Sequence, residues 1–230
     1  MNYIRKSEHR GVANFGWLQS KHSFSFGNYY DPKHMGVSVL RVINDDMVMP
    51  GQGFGEHGHR DMEIISYVIE GALKHDDSTG NSYVVPAGDV QRMSAGRGVR
   101  HSEFNASKTE KVKFLQIWIQ PNVTGIKPSY EQKSLPQQGV LTTLVAPNGE
   151  NGALSINQDA SISRLVLKKD DSIRLSTAQR VGYLHLIKGQ INVDGHTFKE
   201  GDAFAVEPER TFEVTANAAL EALWFDLPAV

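Results

Sequence analysis

"YVIEGALKHDDSTGNSYVVPAGD" (67–89) and "HLIKGQINVDGHTFKEGD" (185–202) follow one plan. Each is an apolar run, a glycine, a polar hairpin, a second run and a Gly-Asp pair. The first copy is longer between Gly71 and Gly88 than the second is between Gly189 and Gly201, and its longer hairpin loop accommodates the difference. A unit that recurs in this way points to a duplicated β-domain. The surrounding sequence agrees. "GVSVLRVI" (36–43), "EIISYVIEG" (63–71), "NSYVVPAG" (81–88), "VKFLQIWIQP" (112–121), "VGYLHLIKG" (181–189) and "ALEALWFDLP" (219–228) are rich in Val, Ile, Tyr and Trp and end in turn residues, which predicts strands. "DDSTGNS" (76–82) and "VDGHT" (193–197) are hairpin connections, the second with an Asp-Gly pair. Many short strands at close spacing predict an all-β sandwich or barrel.

The division between the two copies is expected in the polar, Pro-rich stretch "GIKPSYEQKSLPQQG" (125–139), giving domains 1–130 and 131–230. Ile126, Tyr130 and Leu135 mark that stretch as an ordered crossing rather than a free linker. The chain has 230 residues, 40% of them apolar and 22% charged, which is enough apolar material for a sizeable core. A net charge of −2 and no basic run argue against sequence-independent nucleic-acid binding. No apolar stretch is long enough to span a membrane and the first residues carry no apolar leader, so a cytoplasmic protein is expected. There are no cysteines, so any metal must be held by His, Asp, Glu or water.

The chemistry concentrates in "GEHGHRDME" (55–63) and "GVRHSEFN" (98–105). Side chains two apart share a face of an extended strand, so His57 pairs with His59 and His101 with Glu103. Glu63 joins the first pair if that strand stays regular. Two such strands side by side would gather three histidines and one carboxylate. Gly51, Gly53, Gly55 and Gly58 suit a bent strand entering from a barrel rim. An H-x-H pair alone is a weak signal, common on polar strand faces; the second pair strengthens it. His9, His22, His34, His75, His185 and His196 read as ordinary surface or packing residues.

The spacing G-x5-H-x-H-x3-E from Gly51, P-x-G from Pro86 and G-x2-H-x3-N from Gly98 resembles the paired motifs of the cupin superfamily. One departure is informative: Gln91 stands where cupins usually place a histidine, and His101 comes ten residues later. That insertion, with "HSFSFGNYYDP" (22–32), "RVINDD" (41–46) and "MSAGRGVRHSE" (93–103), resembles the pirin family, whose bacterial members are described as quercetin 2,3-dioxygenases. The resemblance spans nearly the whole chain and is densest in 15–121. It implies a bicupin, two double-stranded β-helix (jelly-roll) barrels in one chain, with a single divalent metal in the first, usually Fe(II). It places the ligands at His57, His59, His101 and Glu103. Glu63 competes with Glu103 for the carboxylate position, and the pirin pattern favours Glu103.

The second barrel is expected to be metal-free. A gapless alignment sets Leu175, Thr177 and Val181 at His57, His59 and Glu63, and Val214 and Ala216 at His101 and Glu103.

The resemblance further implies cleavage of a flavonol by dioxygen with release of carbon monoxide, Glu103 acting as base. Phe24, Phe26, Met93, Phe114 and Trp118 are candidates for the substrate cavity, with Trp118 expected to fill core instead. The donor set also suits Ni, Cu, Mn or Zn. Two alternatives remain: a pirin-like, iron-dependent regulator that binds a partner protein without turnover, and a zinc hydrolase or isomerase. Four protein ligands on tetrahedral zinc would leave the latter no vacant position.

Overall fold

The repeat predicts two similar β-units, and the computed structural model, which describes residues 1–229, contains them. Apart from short 3-10 turns at Ser7–His9 and Glu150–Gly152, every regular element among these residues is a strand. Each unit pairs a seven-stranded sheet with a four-stranded one. The first large sheet runs Ser129–Ser134, Asp89–Ser94, Glu63–Glu70, Val112–Ile119, Leu40–Val48, Leu18–His22, Gly11–Asn14. Its small sheet runs Gly53–His59, Val99–Asn105, Ala72–Asp77, Ser82–Pro86. In the second unit, Val181–Lys188 and Leu220–Leu227 lie at the centre of the large sheet, and Ser172–Ser176, Thr211–Ala216, Gln190–Val193 and His196–Lys199 form the small one.

Central strands such as Glu63–Glu70 are buried on both faces, because they are covered on both sides. One face turns into its own barrel. The other meets the second barrel: Ile65, Tyr67, Leu115 and Ile117 pack in one cluster with Leu144, Ile162, Tyr183 and Phe225. Two strands cross between the units. Tyr3–Arg5 pairs with Ala203–Val206 of the second barrel. Ser129–Ser134 pairs with Asp89–Ser94 of the first, running through the expected division between 130 and 131.

The hairpins form where turn chemistry requires them. Asp194 and Gly195 both take positive φ (49° and 78°), the conformation of the tight turn that an Asp-Gly pair favours. One strand departs from its expected span. "GVSVLRVI" was expected to end at Ile43, but the strand covers Leu40–Val48 and takes in Asn44, Asp45 and Asp46. Three successive turn-forming polar residues look like a break, yet here they continue the ladder against Val112–Ile119.

The second correction concerns register. Leu73 pairs with Asn105 and Ile191 with Ala216, each two residues after the repeat glycine. Phe212 and Val214 therefore stand at His101 and Glu103, two residues from the gapless alignment. The cause is local: Ala203–Val206 has 4 residues where Asp89–Ser94 has 6. Leu175, which pairs with Phe212 as His57 pairs with His101, keeps its expected place.

Candidate metal centre

His57 and His101 are direct cross-strand partners, and His59 lies two positions further along its strand. The first strand can come this close because of Gly53: a Cβ there would lie 2.3 Å from the Glu103 carbonyl oxygen and 2.5 Å from Phe104 Cα. His101 Nε2 is 3.0 Å from both His59 Nε2 and His57 Nε2. Two ligands at right angles, each about 2.1 Å from one ion, are separated by about 3 Å, so the spacing fits shared coordination. Hydrogen bonds alone do not account for it, because His101 Nε2 has at most one proton to share between two neighbours. The Nδ1 of His57 is 2.8 Å from the Gly55 carbonyl oxygen. Donation there fixes the tautomer and leaves Nε2 as the ligand nitrogen.

The electrostatics keep His59 and His101 neutral, as ligation requires. Burial, then the neighbouring His101 and His57, lowers His59 to about 4. Burial, then His57 and His75, lowers His101 to about 3.

Glu103 is fully buried behind the histidines. Ser66 Oγ (3.2 Å) and Gln91 Nε2 (2.9 Å) donate to its Oε1, and Gln116 Nε2 (3.0 Å) donates to its Oε2. Tyr130 Oη, from the crossing strand, donates to Gln91 Oε1 at 2.8 Å and orients that amide. Nearby, His75 pairs with Glu103 across the sheet and lies with its Nε2 2.9 Å from Asp77 Oδ2. His75, His101 and Glu103 form a second converging group, with ligand atoms within 4.8 Å of one another.

Glu63 does not join the histidines. The chain leaves the strand after His59, with Asp61 at φ 47°, so the two-residue alternation ends before Glu63. Its carboxylate instead accepts hydrogen bonds from Ser94 Oγ (2.8 Å) and from the backbone and side chain of Asn157 (3.3 and 3.2 Å), joining the two units.

His57 and His59 open onto a cavity of about 680 Å³. Phe15, Trp17, Phe26, Phe54 and Trp118 line it, along with Ser20, His22, Asn44 and Asp46. Trp118, expected in the core, packs edge-on against His59 at 5.0 Å. Phe24, Phe114 and Met93, expected at the cavity, are core residues exposed by 2% or less.

Four residues around the centre escaped the sequence reading. In sequence, Gln91 shows only that the usual cupin histidine is missing, and His75 reads as an ordinary packing residue. Ser66 and Gln116 are single polar residues inside "EIISYVIE" and "VKFLQIWI". A lone polar residue in an otherwise apolar, inward-facing strand is a signal of a buried partner.

Paired jelly-roll barrels with, among the described residues, a histidine cluster in the first alone define a two-domain cupin metalloprotein. The Pirin family model matches residues 4–119, and the model described as "Quercetinase C-terminal cupin domain" matches 143–227. The chain belongs to the pirin family. It is 46% identical to "Quercetin 2,3-dioxygenase" of Escherichia coli K12 over 100% of both chains. It is 42% identical to a putative quercetin 2,3-dioxygenase of Zymomonas mobilis, covering 93% of this chain and 92% of the relative. The crystal structure of the bacterial pirin YhhW of E. coli in complex with nickel(II) superposes with a TM-score of 0.95 at 46% identity, over 99% of each chain.

Proposed function

We propose that the chain is a metal-dependent dioxygenase that cleaves flavonols such as quercetin and releases carbon monoxide. The observation that carries this is the set of three converging histidine nitrogens at the edge of an aromatic-lined cavity. The E. coli relative's name and its nickel(II) complex support the same reading.

His57, His59 and His101 would hold one divalent ion, with Glu103 as the fourth ligand and the second barrel holding none. Fe(II) is our choice among the ions this donor set suits; Ni, Cu, Mn and Zn are the alternatives. Such an ion would supply Lewis acidity, lowering the pKa of a substrate hydroxyl.

The protein's own groups do the rest. Trp118, Phe26 and Phe54 give a planar substrate apolar surface to pack against and exclude water. Glu103 accepts the proton of the substrate's 3-hydroxyl, while Ser66, Gln91 and Gln116 hold its carboxylate in position.

Metal-loaded protein incubated with quercetin should consume dioxygen and release carbon monoxide in step with loss of substrate, and should stop on chelation. Quercetin loss no faster than autoxidation would contradict this, and would leave the partner-binding regulator as the reading to pursue.

A further inference from the structure

The cavity has a second polar surface away from the histidines. Ser20 and His22 on Leu18–His22 lie directly opposite Asp46 and Asn44 on Leu40–Val48. Residues so paired share one sheet face, and all four line the cavity. They are exposed by 3%, 5%, 2% and 2% in that order. Yet His22 Nδ1 and Asn44 Oδ1 have no hydrogen-bond partner within the protein, and Ser20 Oγ and Asp46 Oδ1 have none beyond the contact between their own two side chains. Buried polar atoms normally find partners, and this much unmet hydrogen-bonding capacity on one cavity wall is too much to attribute to packing. Asn44 also pairs across the ladder with Gln116, whose amide holds Glu103, so the wall adjoins the metal centre.

We propose that Ser20, His22, Asn44 and Asp46 form a recognition wall that accepts hydrogen bonds from the peripheral hydroxyl groups of a polyhydroxylated aromatic substrate. The wall offers two side-chain carbonyl or carboxylate oxygens, a hydroxyl and a ring nitrogen. An acceptor-rich surface is complementary to phenolic O–H donors and unmatched by an unsubstituted ring. Burial raises Asp46 to about 7 even though the Ser20 hydroxyl opposes the shift, with the Asp45 and Glu103 carboxylates adding to it, and so a further donor placed against it relieves a costly group. A site built to bond a hydroxyl discriminates strongly against the analogue that lacks it, because its own polar groups are then left unpaired. This inference deepens the flavonol reading and rests on it for the chemical class of the ligand.

The test uses quercetin, galangin (which lacks the pendant-ring hydroxyls) and 3-hydroxyflavone (which keeps only the 3-hydroxyl). Two readouts are taken on metal-loaded protein: KM and kcat from oxygen uptake, and anaerobic dissociation constants from quenching of protein fluorescence. The wild-type protein should bind quercetin at least about ten-fold more tightly than 3-hydroxyflavone. In Asp46→Asn and, separately, Ser20→Ala, that ratio should narrow by about ten-fold, acting on KM more than kcat, with metal content at the wild-type level. Wild-type selectivity in both variants would overturn the wall. Selective binding that collapses in the variants but brings no oxygen uptake would uphold the wall and reject the dioxygenase reading. Wild-type protein that binds none of the three would overturn both.

Discussion

The two barrels share a scaffold and differ in what fills it. In the second, Leu175, Leu184, Val193, Phe204, Phe212, Val214 and Trp224 belong to one continuous apolar cluster of sixteen buried residues. By register, these seven stand where the first barrel has His57, Ser66, His75, Gln91, His101, Glu103 and Gln116. The first barrel's apolar interior is accordingly split into two smaller groups, of seven and four buried residues, on either side of the polar centre. One barrel spends its interior on packing and the other on chemistry. The packed barrel and the cluster between the barrels, which includes Ile65, Leu115, Tyr183 and Phe225, supply the rigid backing that the polar barrel lacks.

This contrast is broken most severely by exchanging the roles of His101 and Phe212. His101→Ala should reduce turnover to background while the protein stays folded. Phe212→Ala should keep the metal and turnover but lower stability by about 3–5 kcal/mol, as measured by denaturant unfolding. If both variants lose only stability, the division of labour is wrong.

The two buried glutamates of the first barrel sharpen it further. Glu103→Gln should lower kcat by about 100-fold. Glu63→Gln should leave kcat within about two-fold and reduce stability by about 1–2 kcal/mol, because Glu63 holds Asn157 rather than the histidines. A reversal of these effects would move the carboxylate ligand to Glu63.

A smaller effect follows from Asp46. Its folded-state pKa, raised by burial to about 7, lies above the ordinary carboxylate value of 3.8, so the native state binds the extra proton between those values. Stability is therefore lost as pH rises from about 4 through about 7, and the loss is complete above. Asp46→Asn removes that penalty. Its unfolding free energy should exceed that of the wild type at pH 8 by an amount on the order of 2 kcal/mol, with the difference fading towards pH 4. A variant less stable than wild type at pH 8 would contradict the buried-charge account.

The smallest effect is expected at the lip of the first barrel, where Arg100 Nε and Glu56 Oε1 form an exposed pair at 2.8 Å. Glu56→Gln should change stability by less than about 0.5 kcal/mol, by the same unfolding measurement.

Much of this contrast was legible in the sequence. The repeat glycines Gly71 and Gly189 gave the duplication, strand alternation paired His57 with His59 and His101 with Glu103, and the pirin resemblance brought the two pairs to one site. What escaped depended on the path of the chain between strands. Alternation carried Glu63 to the histidines because nothing in "HRDME" announces the left-handed turn at Asp61. The shorter Ala203–Val206 strand displaced the second-barrel alignment by two residues, an error that conserves face and so leaves the hydrophobic pattern undisturbed. Asn44 and Asp46 lie beyond the expected strand "GVSVLRVI" (36–43), since a polar triplet does not continue its apolar run. Their presence inside a strand reflects the cavity they face, which only the assembled sheets reveal. Trp118 was misplaced for the same reason: an inward aromatic fills a core or lines a cavity according to what stands opposite, and here His59 does.

The central claim is that the first barrel alone holds a metal. Elemental analysis of the purified wild-type, His57→Ala and Phe212→Ala proteins, each produced with iron supplied and compared per folded chain, tests it most directly. The account predicts one metal ion per chain in the wild type and in Phe212→Ala, and none in His57→Ala. Two ions per chain, or full occupancy retained without His57, would contradict it.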